Sequence, residues 1–406
     1  MGFLKNWLIE QHERGYYWIG DKYVCDDCVD DEALRRYISD NAEATACSYC
    51  GRQSDEPIAC ELDRFMGALA SGIAVDWEDA IEFMPYDGGD WALPQSNRTI
   101  HDLLADGELG IEVDQRLFDD IVEAFRDRTF APRYYFGLGP DERLIFGWDA
   151  FVEQVTHRTR YLFLTIDMVS PHASGGEIPP SRMLSEIGRL AAEVGLVREL
   201  PAGSTLYRAR LRERGKTPLV GAKDLGSPPI QRALVSNRMS PSGIATFYGA
   251  FDEATAMHET TPGRWPEGRD VTVGVFRTAR PFAVLDLPTL PPVPSLFDEE
   301  KREVRPLLIF LDRFAAEVSK PIERDEREHL EYVPTQIVTE YFRHAFTAEQ
   351  GLDVDGIVYR SAMNSDGKCI VLFVDNDDCV DDDGAGQVDG TLALVSAYCP
   401  VGAVGG

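Results

Sequence analysis

The chain has 406 residues, 44% of them hydrophobic, which excludes wholesale disorder and leaves length for two or three domains with sizeable cores. Its 69 acidic residues against 40 basic ones give a net charge of −29. That balance argues against a general nucleic-acid-binding surface, and it requires locally placed arginines wherever an anion is to be held.

The opening ten residues are interrupted by Asn6 and Glu10, too soon for a signal peptide, and Asn6 stands where a myristoylation signal wants Ser or Thr. No apolar run approaches the roughly 18 residues of a spanning helix. A cytoplasmic protein is expected.

Four of the eight cysteines form two knuckles, Cys25-x-x-Cys28 and Cys47-x-x-Cys50. This is the spacing of a zinc ribbon or treble-clef-like site, and residues 1–56 read as a zinc-ribbon-like module with a structural zinc ion. Four thiolates close the coordination sphere, so such a zinc holds structure and does no chemistry. Cys60, Cys369, Cys379 and Cys399 lack this spacing and read as ordinary thiols. Between the knuckles, Asp30, Asp31, Glu32, Asp40 and Glu43 outnumber Arg35 and Arg36, which disfavours phosphate contact and favours protein docking or a purely structural role.

Residues 57–199 change to a helical pattern. The stretches 61–70, 99–105, 115–126, 148–161 and 181–193 place apolar residues at three- and four-residue intervals, with Leu117, Ile121, Val122 and Phe125 forming one stripe. The Gly, Pro and Asp of 85–91 and 170–180 end helices. An all-helical domain is expected.

After a linker at 199–203, residues 204–211 alternate as a strand carrying Arg208, and a loop rich in Gly and Pro follows. The central stretch is 237–259. It begins as a turn with Ser240, Pro241 and Gly243, crosses a short strand ending at Tyr248, and enters a helix N-capped by Asp252 that carries Glu259 in its second turn. Arg238, Tyr248 and Glu259 thereby stand on three successive elements, an arrangement that can converge on a small anionic ligand. Further strands are expected at 271–276, 282–287, 356–359, 369–374 and 392–397, and helices at 303–320 and 329–345, the latter with Gln336 and Glu340 on one face. The domain at 200–376 is therefore mixed α+β, followed by an acidic, Gly-rich extension at 377–406.

The strand around Arg208, the 237–259 stretch, the run Tyr332-Val-Pro-Thr-Gln336 to Glu340, and Gly356-Ile-Val-Tyr-Arg-Ser361 together resemble the RES domain. The family is named for an Arg, a Glu and a Ser, matched here by Arg208, Glu259 and Ser361, with Tyr248 as its active-site Tyr. The resemblance implies a fold similar to that of ADP-ribosyltransferases and NAD as substrate. It also implies the roles. Glu259 would lie beneath the oxocarbenium-like ribose as nicotinamide leaves, Tyr248 against the nicotinamide ring, Arg208 on the pyrophosphate, Ser361 on the ribose or a phosphate, and Arg238 at a second anion contact. Water, phosphate or a protein side chain as acceptor would make the enzyme a glycohydrolase, a phosphorylase or an ADP-ribosyltransferase. A non-catalytic NAD sensor is the alternative from another class.

Such domains are often bacterial toxins covered by an antitoxin, and the added N-terminal domains here suit restraint or targeting by a regulatory partner. The helical layout before the domain is similar to the HEPN-type domain that precedes some RES domains. HEPN domains that cut RNA carry an Arg a few residues before a His on a helix. His101, His157 and His172 have no such Arg, and the Arg324–His329 spacing falls in the RES-like half, so a non-catalytic interaction module is expected.

Overall fold

The computed structural model describes residues 14–83, 86–87, 90–91, 96–165, 176–261, 267–321, 328–382 and 390–400. His172, Arg324 and parts of the stretches 85–91, 170–180 and 377–406 lie outside the described residues. The chain forms two compact units. The first comprises Met1–Glu142, Ser174–Gly176 and Pro292–Leu307, and the second Arg143–Ala173, Glu177–Pro291 and Leu308–Gly406. No helix among the described residues is long and apolar enough to cross a membrane.

In the first unit, helices Glu32–Asp40, Leu62–Asp76, Ile100–Ala105 and Gln115–Ala124 bury apolar stripes in a shared core. Thr99 and Asp102 close a capping box that starts the third of these, and Leu117 and Ile121 of the fourth are fully buried. The late segment Pro292–Leu307 joins this unit through a tight fit. A Cβ on Gly72 would fall 2.1 Å from the Phe297 ring, so only glycine admits that ring, and Arg302 donates to Ser71 Oγ at 3.0 Å.

The all-helical expectation is corrected here. Trp77–Asp79, Thr129–Pro132 and Arg98–Thr99 form a small antiparallel sheet with Thr129–Pro132 in the middle. Strands this short show no readable alternation. Their backbones pair with Phe130 and Ala131 buried, and the ion pairs Arg128–Asp79 at 2.9 Å and Arg133–Glu78 at 3.0 Å flank them.

The second unit is built on a nine-stranded sheet, in agreement with the α+β expectation. Its strands are β1 (Val197–Leu200), β2 (Thr205–Glu213), β3 (Phe247–Ala250), β4 (Arg269–Thr278), β5 (Phe282–Asp286), β6 (Gly356–Arg360), β7 (Lys368–Leu372), β8 (Cys379–Asp381) and β9 (Leu392–Tyr398). They lie in the order β8-β9-β4-β2-β3-β7-β6-β5-β1, with β5/β6 and β8/β9 parallel and the other neighbours antiparallel. β2 and β4 pair over nine residues, whereas β2 and β3 share the single pair Tyr207–Ala250. The sheet is thus two wings joined at one point, and beyond it β2 and β3 part.

Leu206, Phe247, Phe276, Phe282, Ile370 and Leu372 pack one face. Helix Glu253–Thr260 lies over the other face of β2, its Thr260 hydroxyl donating to the Ala209 carbonyl at 3.1 Å. That bond satisfies a carbonyl on the strand that has parted from β3. Helix Pro140–Glu153 starts earlier than the apolar spacing suggests, with Pro140 at its first position, and continues as a π-turn over Gln154–Arg158.

Candidate functional site

The two cysteine knuckles meet in the first unit. Cys25 ends strand Tyr23–Cys25, which pairs with Ala59–Glu61, and the short helix Asp26–Cys28 turns the chain so that Cys28 faces it. The Sγ separations are 3.8 Å for Cys25–Cys28, 3.4 Å for Cys25–Cys50 and 3.6 Å for Cys28–Cys47. All four sulfurs lie within 4.8 Å of one another. Four thiolates at about 2.3 Å from a tetrahedral zinc would be spaced about 3.8 Å apart, so the donor set and its packing fit a metal ion of this kind.

Burial works against the Cys47 thiolate, yet amide donors of Tyr49, Cys50 and Cys25 bring its thiol down to about 7. Outside the sulfurs, Tyr49 donates to Asp120 Oδ2 at 2.7 Å, and Lys22 pairs with the same oxygen at 2.6 Å. The second knuckle is tied in this way to helix Gln115–Ala124.

In the second unit, Glu259 sits in the last turn of its helix, where the dipole disfavours a carboxylate. Donors compensate. Ser361 Oγ donates to Glu259 Oε1 at 2.5 Å, and Cys369 Sγ lies 3.7 Å from the same oxygen. Ser361 Oγ in turn accepts from the amides of Met363 and Asn364 at 3.1 and 3.0 Å. With both amides on its lone pairs, the hydroxyl has one direction left for its proton, toward the carboxylate.

The loop 361–367 between β6 and β7 is itself pinned to the helix start. Asn364 Nδ2 donates to Thr255 Oγ1 at 2.8 Å, Thr255 Oγ1 donates to the N-cap Asp252 at 2.7 Å, and a Cβ on Gly367 would collide with Thr255. Glu259 and Ser361, 102 residues apart in sequence, are thus positioned by one connected network.

Opposed residues in neighbouring strands share a face. Cys369 is opposite both Tyr359 and Ala250, and Tyr248 is opposite Val371, so Tyr248, Tyr359 and Cys369 project to one side of the sheet. The Tyr359 phenol is held well above the ordinary tyrosine range, by burial first and then by Cys369, Tyr248 and Glu259. Tyr248 OH accepts from the Met239 amide at 3.1 Å and lies 3.0 Å from Ser240 Oγ, which fixes the turn before β3.

Helix Val333–His344 grips the same turn. Gln336 Nε2 donates to Ser236 Oγ at 2.8 Å and to the Asn237 carbonyl at 2.7 Å, and Thr335 Oγ1 donates to the Arg238 carbonyl at 2.6 Å. The Arg238 guanidinium is committed to the carbonyls of Val318 and Lys320 at 3.0 and 2.6 Å, at the end of helix Arg305–Ser319, with Tyr332 beneath it. It also lines a cavity of about 680 Å³ with Trp148, Asp149, Glu317 and Thr335.

Arg208 goes elsewhere. Tyr207 shares a face with Ala250, so Arg208 projects to the opposite side, where its guanidinium lies 5.1 Å from the Phe247 ring. It keeps some solvent-facing surface, yet burial first and the charge of Arg210 second depress its pKa well below the usual arginine range. Glu259, Ser361, Tyr248, Tyr359 and Cys369 therefore form one cluster, and Arg208 projects across β2 from it while still acting on the Tyr248 phenol through its charge.

The family model of the HEPN/RES N-terminal domain 1 matches residues 40–169, and that of the RES domain matches residues 205–392. The chain carries a RES domain preceded by a HEPN/RES N-terminal domain. Neither a curated protein nor a solved structure matches it. The RES domain match encloses Arg208, Arg238, Tyr248, Glu259 and Ser361 and runs to the first residue of β9. The HEPN/RES N-terminal match includes Cys47 and Cys50 but begins after Cys25 and Cys28. Within the RES domain, sequence reading did not single out Tyr359, Cys369 or Arg210. The signal for Tyr359 was present, since it stands two residues before Ser361, on the strand that leads to it. Cys369 has no such signal, because only the register of β7 against β6 places it beside Glu259.

Proposed function

We propose that the RES domain consumes NAD by breaking the bond between nicotinamide and ribose, and that the chain acts as a toxin or defence effector restrained by a regulatory partner. The observation that carries this reading is the Glu259 carboxylate, held by a serine whose hydroxyl is oriented by two backbone amides. A carboxylate fixed in this way before substrate arrives stabilises the cationic ribose without reorganising. In the reaction the C–N electron pair leaves with nicotinamide, an acceptor oxygen bonds the anomeric carbon, and the acceptor's proton is released. Glu259 is the catalytic residue of this reading. Ser361 is a positioning residue, since its proton is directed at Glu259 instead of at substrate.

The single pair by which β2 and β3 meet supports the same reading, because strands that part beyond one pair leave room for a gap of the kind expected of an ADP-ribosyltransferase-like cleft. Tyr248 borders that gap on one face and Arg208 on the other. A dinucleotide is longer than one sheet is thick, so its nicotinamide ribose can reach Glu259 while its phosphates meet Arg208. In the first unit, Cys25, Cys28, Cys47 and Cys50 would hold a zinc ion, whose contribution is a crosslink between knuckles and no open coordination position.

The test is nicotinamide release from NAD by the wild type and Glu259→Gln, with and without phosphate. Release by the wild type alone is the expected result, and a dependence on phosphate would name the acceptor. Equal release by both proteins would remove Glu259 from the reaction, and NAD binding without release would favour the sensor alternative.

A further inference from the structure

Arg208, Arg210 and Arg212 alternate along β2 and so project to one face. Arg212 is paired, with Asp270 at 3.1 Å and the Lys216 carbonyl at 2.7 Å. Arg208 and Arg210 are not paired in this way. Arg208 Nη1, Arg210 Nε and Arg212 Nε are each buried without a hydrogen-bond partner, but whereas Arg212 has Asp270, among the described residues no carboxylate forms an ion pair with the Arg208 or Arg210 guanidinium. Arg210 makes one protein contact through Nη2, to the Gly226 carbonyl at 2.6 Å. Burial lowers the pKa of both groups, and Arg210 adds its repulsion to Arg208.

Two neighbouring cations with orphaned N–H groups are costly to bury. The sequence supplies 69 acidic residues, yet among the described residues none forms an ion pair with either, and Asp224 acts on Arg210 only through its charge, without outweighing burial. Side chains two residues apart on a strand are spaced by about 7 Å, within reach of both phosphoryl groups of one diphosphate.

We propose that Arg208 and Arg210 form a two-point clamp for a diphosphate, with Arg210 in the second position where the sequence suggested Arg238. As the diphosphate of a dinucleotide, this rests on the NAD reading above. As an anion site, it does not. Arg238 is the weaker candidate for the clamp, since both terminal nitrogens of its guanidinium already donate to carbonyls.

The test measures inorganic pyrophosphate and inorganic phosphate binding to the full chain by calorimetry, in the wild type, Arg210→Gln, Arg210→Lys and Arg277→Gln. Arg277 is an exposed residue of β4 and controls for the loss of one charge. Pyrophosphate is expected to bind the wild type and Arg277→Gln alike, to bind Arg210→Gln about tenfold or more weakly, and to bind Arg210→Lys with an intermediate loss. Phosphate, which spans one position only, is expected to bind more weakly than pyrophosphate to the wild type and to lose less on mutation.

The ligand-free melting temperature supplies a second readout. Relief of repulsion predicts that Arg210→Gln melts no lower than the wild type, whereas a merely structural Arg210 predicts a fall. Unchanged pyrophosphate affinity in a folded Arg210→Gln overturns the clamp, as does no binding to the wild type. If Arg210→Gln fails to fold, Arg210→Lys carries the same comparison. Pyrophosphate binding without nicotinamide release would sink the NAD reading and leave the clamp standing, and release without pyrophosphate binding would do the reverse.

Discussion

The four thiols of the N-terminal unit and the two guanidiniums of β2 are both groups of like chemistry brought together by the fold, and each is costly without something to join them. They differ in how far the protein closes around them. The thiols surround a point at tetrahedral spacing, with three of the four buried, so one ion would complete the set and leave nothing outside it. The arginines lie beside the single pair that joins β2 to β3 and keep unfilled donors, so on the proposal above an exchangeable anion joins them. The Glu259–Ser361 network is a third case, satisfied from within and ready before any ligand arrives. On the function proposed above, closure separates a group that stabilises the fold from a group that serves turnover.

The largest expected effect tests the closed member of that comparison. Chelation, or Cys28→Ser, is expected to release about one zinc per chain and to unfold the first unit before the second, because structural zinc contributes about 10–16 kcal/mol to folding. Metal analysis with limited proteolysis checks it. A metal-free protein with an unchanged proteolysis pattern would leave the knuckles as reduced thiols.

The network that is complete within the protein predicts a graded series. Glu259→Gln keeps the Ser361 hydrogen bond while removing the charge, so nicotinamide release should fall about a hundredfold or more with little change in melting temperature. Ser361→Ala leaves the Met363 and Asn364 amides without their acceptor, and it should cost about 1 kcal/mol of stability and roughly tenfold in release. If Ser361→Ala lost more activity than Glu259→Gln, the serine would touch substrate and the positioning role would fall.

Much of this was readable in the residues. Asp252 is the N-cap that its place before Glu253 suggested, and the strand around Arg208 and the helix carrying Glu259 are where alternation and capping put them, whereas the strand expected to end at Tyr248 begins at Phe247 and runs on to Ala250. The unreadable parts depend on contacts distant in sequence. The three-stranded sheet of the first unit pairs strands too short to show a pattern, and β8, three residues long, pairs in parallel with β9. Arg238 and Arg208 look alike in the sequence. Only the end of helix Arg305–Ser319 decides that one is committed to carbonyls while the other keeps an orphaned donor.

Arg280 sharpens the comparison from the other side, as an arginine that has its carboxylate. It grips Asp355 at 2.8 and 3.2 Å, and the Ala283 amide donates to the same carboxylate at 2.9 Å, joining the segment before β6 to β5. Burial alone would raise the Asp355 pKa, but Arg280 and Ala283 outweigh it and leave the group below its ordinary value. A depressed pKa means that the unfolded chain binds the proton more readily. The stabilisation is therefore fully present above the unfolded value, about 3.9, and is lost as pH falls through the folded one. Asp355→Asn should accordingly melt below the wild type at pH 7, with the gap closing in acid. Because the side chains are 46% and 28% exposed, solvent screening keeps the effect to at most about 1 kcal/mol. A gap that persisted unchanged into acid would assign the loss to the neutral hydrogen bonds and take the charge of this pair out of the account.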